Sequence, residues 1–148
     1  MAIGAAAVAS LISGGAAFGA QPQGSATLFL TQQASDYTPI TWTASGLATA
    51  TGPVSDAGTW DRGLIRFGGG RSHVFAGTIK TYLTGSRGSF EMDFEGLGSN
   101  ITGAFSGTWQ IKNGTGAYAR LHGTGTWYED DSTPGVFSFP CIGQVHFD

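Results

Sequence analysis

A glycine-rich segment late in the chain has the residue types and the spacing of a phosphate-binding turn. Gly114, Gly116 and Ala119 in KNGTGAYA fit the G-x-G-x-x-G/A pattern of dinucleotide-binding proteins, and the preceding FSGTWQI has the pattern of a strand. Three carboxylates follow near the distance at which a ribose-binding acid is expected: Glu129, Asp130 and Asp131. The chemistry that these residues suggest is the binding of NAD.

The residues after this turn argue against a dinucleotide site. Such a site needs a helix whose N-terminus faces the pyrophosphate. Gly123 and Gly125 would each weaken a helix by about 1 kcal/mol relative to Ala. Leu121 and Trp127 keep a period of two with these glycines, which indicates a strand. We therefore predict neither a nucleotide nor any other cofactor.

The same segment is better interpreted as a long hairpin connection between two strands. Tight connections need backbone with positive φ, which glycine adopts without steric cost, so we expect Gly114 or Gly116 in that conformation. We expect the strands of this chain to close into a β-barrel, and we expect Tyr118 and Ala119 to cover one end of it.

A second candidate is a run of three carboxylates, Glu91, Asp93 and Glu95, in the sequence FEMDFEG. On a strand they share one face, with neighbours about 6.6 to 6.8 Å apart. Such oxygen ligands suit a Ca²⁺ site, and a carboxylate pair suits acid–base catalysis. Because the alternating residues are all large and apolar, we favour a third interpretation, in which the carboxylates form the outer, solvated face of a strand.

The other reactive residue types form no recognisable constellation. His73, His122 and His146 match no metal-ligand spacing, and we expect His122 to be solvent-exposed. No serine lies in a G-x-S-x-G turn. Cys141 shares a face with large apolar residues, so we expect a buried, inert thiol. The sequence therefore predicts no metal site and assigns no catalytic residue.

The apolar face of the strands is the feature with the clearest capacity to bind something. It combines large aromatic residues with glycines at neighbouring positions on the same face, which leaves space beside a ring. The interior of an eight-stranded barrel is either filled by side chains or holds one small ligand. The alternative is a packed core in which glycine accommodates strand coiling. The candidate ligand-binding residues are Phe105, Trp109, Trp127, Phe137, Phe139 and Cys141.

These residues require strands to position them, and a period of two recurs from residue 25 onward. In ITGAFSGTWQI, for example, Ile101, Phe105, Trp109 and Ile111 share one face. Turn residues separate the runs, and Pro140 marks an edge, a bulge or a strand break. Short connections favour an antiparallel barrel or sandwich. We predict eight strands, near 25–31, 39–50, 57–67, 72–83, 88–96, 101–112, 120–129 and 135–147.

Length and composition agree with one small β domain. The chain has 148 residues, of which 25 are glycine, about 17% against a usual ~7%. Only seven residues are Lys or Arg and the net charge is −3, so no basic stripe exists for nucleic acid. A single cysteine excludes an internal disulfide framework and a cysteine-rich zinc site.

The first twenty residues differ from the rest. They carry no charge and are rich in Ala and Gly, with small residues at 17, 19 and 20. We interpret 1–20 as a secretory signal peptide without a basic n-region, and the alternative is a membrane anchor. We therefore expect a secreted protein, with a barrel domain over 25–148 and no membrane association after cleavage.

Two stretches resemble a known group of proteins. GTWQIKNGTGAYARLHGTG, residues 107–125, resembles the G-T-W-x-I-x-x-G-T-G-x-(Y/F)-x-x-L-x-G-x-G pattern of secreted actinobacterial proteins of the allene oxide cyclase barrel-like group. Plant allene oxide cyclases and dirigent proteins have a similar turn, and GSRGSF, residues 85–90, resembles a related bacterial family. The resemblance implies an eight-stranded antiparallel barrel with an apolar interior, and it carries no catalytic residue over to this chain.

Three functions are compatible with this sequence. The leading expectation is a secreted barrel that binds a small apolar molecule in its lumen. The second is a cyclase or isomerase of the allene oxide cyclase type, which acts by confining its substrate. The third is a structural or interaction protein whose barrel is packed solid. A lumen volume separates the third from the others, and a buried carboxylate or tyrosine hydroxyl facing that lumen separates the second from the first.

Overall fold

A computed structural model describes residues 23–33, 40–68, 74–99 and 101–148 of the chain. These residues form a closed barrel of eight antiparallel strands in sequence order, which confirms the predicted all-β class and eight-stranded barrel. The predicted signal segment and His73 lie outside the described residues. The strands are β1 Gln23–Gln33, β2 Ile40–Thr49, β3 Gly52–Gly68, β4 Val74–Gly85, β5 Gly88–Ser99, β6 Phe105–Gly114, β7 Leu121–Tyr128 and β8 Val136–Phe147.

The period of two decides which side chains face the interior. Along β5, Phe90, Met92 and Phe94 are buried and the alternating carboxylates face outward. Each strand pairs with the next, and β1 closes the barrel against β8, with Leu28 opposite Cys141. Since every strand has two neighbours, the apolar faces meet in one central core.

Two local expectations need correction and a third is narrowed. β3 begins at Gly52 and not near residue 57 as predicted, since the segment PVSDAG is also part of the strand. Ile101 is 72% exposed and lies in a turn before β6, where Gly103 has φ +69° and donates its N–H to the Ser99 carbonyl. Pro140 does not break β8. It lies just beyond the Trp127–Cys141 pair at which the ladder to β7 ends, so of the three predicted alternatives it marks an edge of that pairing.

The two ends of the barrel are formed by different connections. One end, here called the Tyr118 end, carries the connections β2–β3, β4–β5 and β6–β7, and the last of these contains a 3-10 turn, Gly116–Tyr118. The opposite end, called the Arg62 end, carries the other four connections. Residues 34–39, 69–73 and 100, which belong to those connections, lie outside the described part of the chain.

Candidate functional site

The glycine-rich segment closes the Tyr118 end. Gly116 has φ +59°, and a Cβ there would lie 2.5 Å from the carbonyl oxygen of Arg87, so only glycine fits. The following 3-10 turn has three residues and leads into β7, and it brings Tyr118 to complete burial. This confirms the hairpin interpretation for Gly116 and Tyr118, whereas Ala119 is exposed.

Hydrogen bonds to Asp56 hold Tyr118 in place. The Tyr118 hydroxyl donates to Oδ2 of Asp56 at 2.6 Å, and the Ser86 hydroxyl donates to Oδ1 at 2.7 Å. Partial burial by itself would raise the pKa of Asp56, but the bonds from Tyr118, Ser86 and two backbone N–H groups outweigh it and lower this pKa to about 2. Burial and the adjacent carboxylate raise the pKa of Tyr118. This hydroxyl is therefore committed to a structural bond with Asp56.

The glycines beside Trp109 do not leave the space that we expected. The indole lies across Gly125 and Gly143, where a Cβ would lie 2.5 Å from Cζ2 in either case. Its N–H donates to the carbonyl of Thr126 at 3.1 Å. At Gly107 the backbone of β5 approaches so closely that a Cβ would lie 2.5 Å from the Cα of Gly96. The expected room beside Trp109 is therefore filled, by its own ring and by close strand packing.

The space inside the barrel lies at the Arg62 end. An inner compartment of about 50 Å³ has almost entirely apolar walls, and an adjoining outer compartment measures about 290 Å³. Both are lined by Arg62, Ile79, Phe94, Trp127 and Phe139. The rings meet edge to face, with centroids 5.7 Å apart for Phe94 and Trp127 and 6.3 Å apart for Trp127 and Phe139. This cavity is the candidate binding site.

The residues that the sequence predicted for the lumen divide into two groups. The structure places four of them on the cavity wall: Phe105, Trp127, Phe137 and Phe139. Trp109 is not among the residues that line it, because its indole is buried against Gly125 and Gly143. Cys141 is fully buried, and its thiol donates to the carbonyl of Phe139 at 3.3 Å. Burial raises the pKa of this thiol, in agreement with an inert core cysteine.

Three polar residues at the rim of this cavity were not predicted to line the lumen. Gln32, Arg62 and Glu129 line the outer compartment. A signal for them exists in the sequence. Each lies two positions beyond a buried inward residue, namely Leu30, Trp60 and Trp127, so each continues the inward row of its strand. Their polarity marks where the interior of the barrel meets solvent.

The charges at the rim influence one another. Nη2 of Arg62 donates to Oε1 of Gln32, and the guanidinium carbon lies 5.5 Å from the centroid of the Trp60 ring. Burial is the main reason that the pKa of Glu129 is raised. The charge of Asp131 raises it further, and the charge of Arg62 opposes the shift. Glu129 is therefore a half-buried carboxyl that faces an apolar cavity.

The carboxylates of β5 lie on the outer wall, as the pattern predicted, but they are not all solvated, since the Glu91 side chain is only 12% exposed. Lys80 on β4 forms ion pairs with Glu91 and, at 3.5 Å, with Asp93. Glu95 is exposed. Within the described residues, no group of three or more His, Cys, Asp or Glu side chains is arranged to hold a metal ion.

Two histidines that are distant in sequence meet on the outer surface near the Tyr118 end. His122 and His146 are opposite one another on β7 and β8, and their rings stack with centroids 5.5 Å apart. Nε2 of His122 lies 3.1 Å from a carboxylate oxygen of Asp148, and Nε2 of His146 lies 3.5 Å from the other oxygen. The expected exposure of His122 is thus only partial, since its side chain is 42% exposed.

Comparisons with known proteins were made at three levels. No protein-family model, curated protein or solved structure matches this chain. Among the described residues, no helix has the length and hydrophobicity needed to cross a membrane.

Proposed function

We propose that the protein binds a small apolar molecule in the cavity at the Arg62 end. The observation that carries this proposal is the cavity itself, an inner apolar compartment that adjoins an outer one of about 290 Å³. Ligand pockets typically measure ~300 to 1,000 Å³ and combine apolar walls with a few polar groups. This cavity is at the small end of that range, which suits a molecule of one or two rings or its aliphatic equivalent.

The walls support an apolar ligand specifically. Trp60 and Phe139 meet edge to face in the inner compartment, with centroids 6.2 Å apart, and their indole and phenyl surfaces form its lining. Both Trp60 and Trp127 satisfy their indole N–H within the barrel, on the carbonyls of Thr31 and Glu95. Neither ring presents an unsatisfied donor to the cavity, so a ligand there gains burial of apolar surface.

Binding of a neutral fluorescent probe with a two-ring body, 6-propionyl-2-(dimethylamino)naphthalene, tests the proposal. We expect enhanced probe fluorescence and a change in the emission of Trp60 and Trp127, which line the cavity. Ile79 borders both compartments, so Ile79→Trp should fill the space and weaken binding at least tenfold. Ile142→Trp is the matched control, because Ile142 is 56% exposed on the outer wall. A wild-type protein that binds no apolar probe would overturn the proposal and favour the packed interaction protein.

A second candidate function has one specific observation in its favour. A cyclase or isomerase of the allene oxide cyclase type would confine its substrate in the cavity, and Glu129 is a carboxyl that could exchange a proton with it. Native mass spectrometry of protein from its own host would identify a copurified molecule. Conversion of that molecule by the wild type but not by Glu129→Gln would support the enzyme, and unchanged recovery would favour the binding protein.

The proposal extends to the location of the protein. The uncharged segment 1–20, with small residues before QPQG, supports export through a secretory signal. The resemblance of residues 107–125 to secreted barrel proteins of the allene oxide cyclase-like group supports the same location. Sequencing of the N-terminus of exported protein tests this, and an intact Met1 would contradict it.

A further inference from the structure

We propose that the ligand is an uncharged molecule with a hydroxyl group at one end. It enters the cavity with its apolar end first, and its hydroxyl donates a hydrogen bond to the carboxylate of Glu129. This inference rests on the proposed function and adds the class of ligand and its orientation.

The position of Glu129 is set by the strand before it. The residue follows β7 directly, and its backbone N–H donates to the carbonyl of Phe105 at 2.8 Å, which extends the pairing with β6. Trp127 faces inward, so the alternation turns Tyr128 outward and Glu129 inward. In the described part of the chain, no side-chain hydrogen bond to the Glu129 carboxyl is formed.

The inner compartment offers a ligand almost no polar surface, although the Arg62 side chain lines it as well as the outer compartment. Its one uncharged polar side chain, Thr81, is 2% exposed and donates its hydroxyl to the carbonyl of Met92 at 3.0 Å. A ligand hydroxyl placed there would lose its bonds to water with little replacement, which weakens binding. The apolar end of the ligand therefore lies inside, and the polar end lies at the rim.

The rim selects against a net charge. A carboxylate would add a third negative charge near Glu129 and Asp131, where the charge of Asp131 already contributes to raising the pKa of Glu129. An ammonium group could pair with Glu129, but it would also meet the guanidinium of Arg62 at the same opening and would lose far more hydration than a hydroxyl does. A hydroxyl brings no charge, and its proton suits a carboxylate acceptor that lies in a partly apolar setting, where such bonds are strong.

Four probes with the same two-ring body test this: naphthalene, 2-naphthalenemethanol, 2-naphthoate and 2-naphthylmethylammonium, each titrated at pH 8. We expect the alcohol to bind about tenfold more tightly than naphthalene, as a hydrogen bond of roughly 1.4 kcal/mol would give. We expect both charged probes to bind more weakly than the alcohol. In Glu129→Gln, the preference for the alcohol should fall severalfold and 2-naphthoate should gain affinity.

Glu95→Gln is the matched control, because it removes the same charge from the outer wall of β5. It should leave all four affinities unchanged, and melting temperatures verify that both variants are folded. If naphthalene binds but the alcohol gains nothing over it, if a charged probe binds tightest, or if Glu129→Gln behaves as wild type, this inference is wrong while the proposed function stands. If none of the four probes binds, both fail.

Discussion

Both ends of the barrel contain a tryptophan packed against a glycine, but the Tyr118 end is filled by further rings and the Arg62 end holds a cavity. At the Tyr118 end, Trp42 lies against Gly85, and Phe90 and Tyr118 form further ring layers above it, with centroid distances of 5.5 and 5.3 Å. At the Arg62 end, Trp127 lies against Gly96 in the same way, but its exposed face borders the cavity. A tryptophan packed against a glycine is therefore part of the core where further aromatic rings cover it, and part of the cavity wall where none do.

The largest expected difference between the two halves comes from removing one indole from each. Trp109→Ala should lower the free energy of unfolding by about 3 to 5 kcal/mol, because the ring is covered on all sides and its loss leaves a void. Trp127→Ala should lower it less, since one face of that ring already borders a cavity. Denaturant unfolding of both variants measures the difference, and equal losses would mean that the two halves are equally packed.

The smaller change Trp109→Phe separates packing from binding. We expect reduced stability, from the gap over Gly125 and Gly143, and unchanged affinity for the apolar probe. Altered probe affinity in a variant that is otherwise as stable as wild type would place Trp109 in contact with the ligand after all.

The close fit over the glycines gives the next largest effect. In Gly125→Ala the new methyl group would lie 2.5 Å from Cζ2 of Trp109 and even closer to the carbonyl oxygen of Ile142, so we expect a loss of about 1 to 3 kcal/mol. Gly68→Ala is the control, because its nearest neighbour would lie 4.0 Å away. It should change the stability by less than about 0.5 kcal/mol. Thermal melts compare the two, and a Gly125 variant as stable as the control would show that the indole can move aside.

The Tyr118 end should respond to acid through Asp56. Its folded pKa is about 2, below the ordinary value of 3.8, so the ionised carboxylate stabilises the fold above about pH 4. That contribution is lost as the pH falls through 4 toward 2. Asp56→Asn should be less stable than wild type at pH 7, and the gap should narrow over this window. Melting temperatures between pH 7 and 2 measure it, and a constant gap would show that the Asp56 network contributes nothing pH-dependent.

The smallest effects belong to the outer wall, which is part of neither end. Glu95→Gln should change stability by less than about 0.5 kcal/mol, because the side chain is exposed. Glu91→Gln loses an ion pair with Lys80, so we expect up to about 1 kcal/mol. Chemical unfolding measures both variants. A Ca²⁺-dependent melting temperature of the wild type would contradict this outward, metal-free interpretation.

The sequence predicted the strands well because alternation is a local property. Met92 between two carboxylates, and Trp109 between Thr108 and Gln110, show their inward direction without any knowledge of their neighbours. The error at Ile101 arose because the alternation continues by chance through the Thr102-Gly103 turn.

The site was less predictable because it depends on relations across strands. Period alone does not show that the ring of Trp109 covers glycines from β7 and β8, or that Phe90 and Tyr118 stack in a second layer at one end only. The polar residues at the rim would have been easier to predict. Gln32, Arg62 and Glu129 continue inward rows, but their distances along the chain hide that the barrel brings them to one opening.

Closure of the barrel also determines the order in which it can form. Neighbouring strands are joined by short connections, and hairpins of this kind form in about 1 to 10 μs. The contact between β1 and β8 is different: Gln144 donates to Ser25 across 119 residues of chain, so its formation carries the largest entropic cost of loop closure. The cavity draws Gln32 from β1 and Phe139 from β8 and is complete only once this seam has closed. A ligand of the proposed kind, which would need both walls, would slow the reopening of the seam and protect the two strand edges at which an open chain would pair with another molecule.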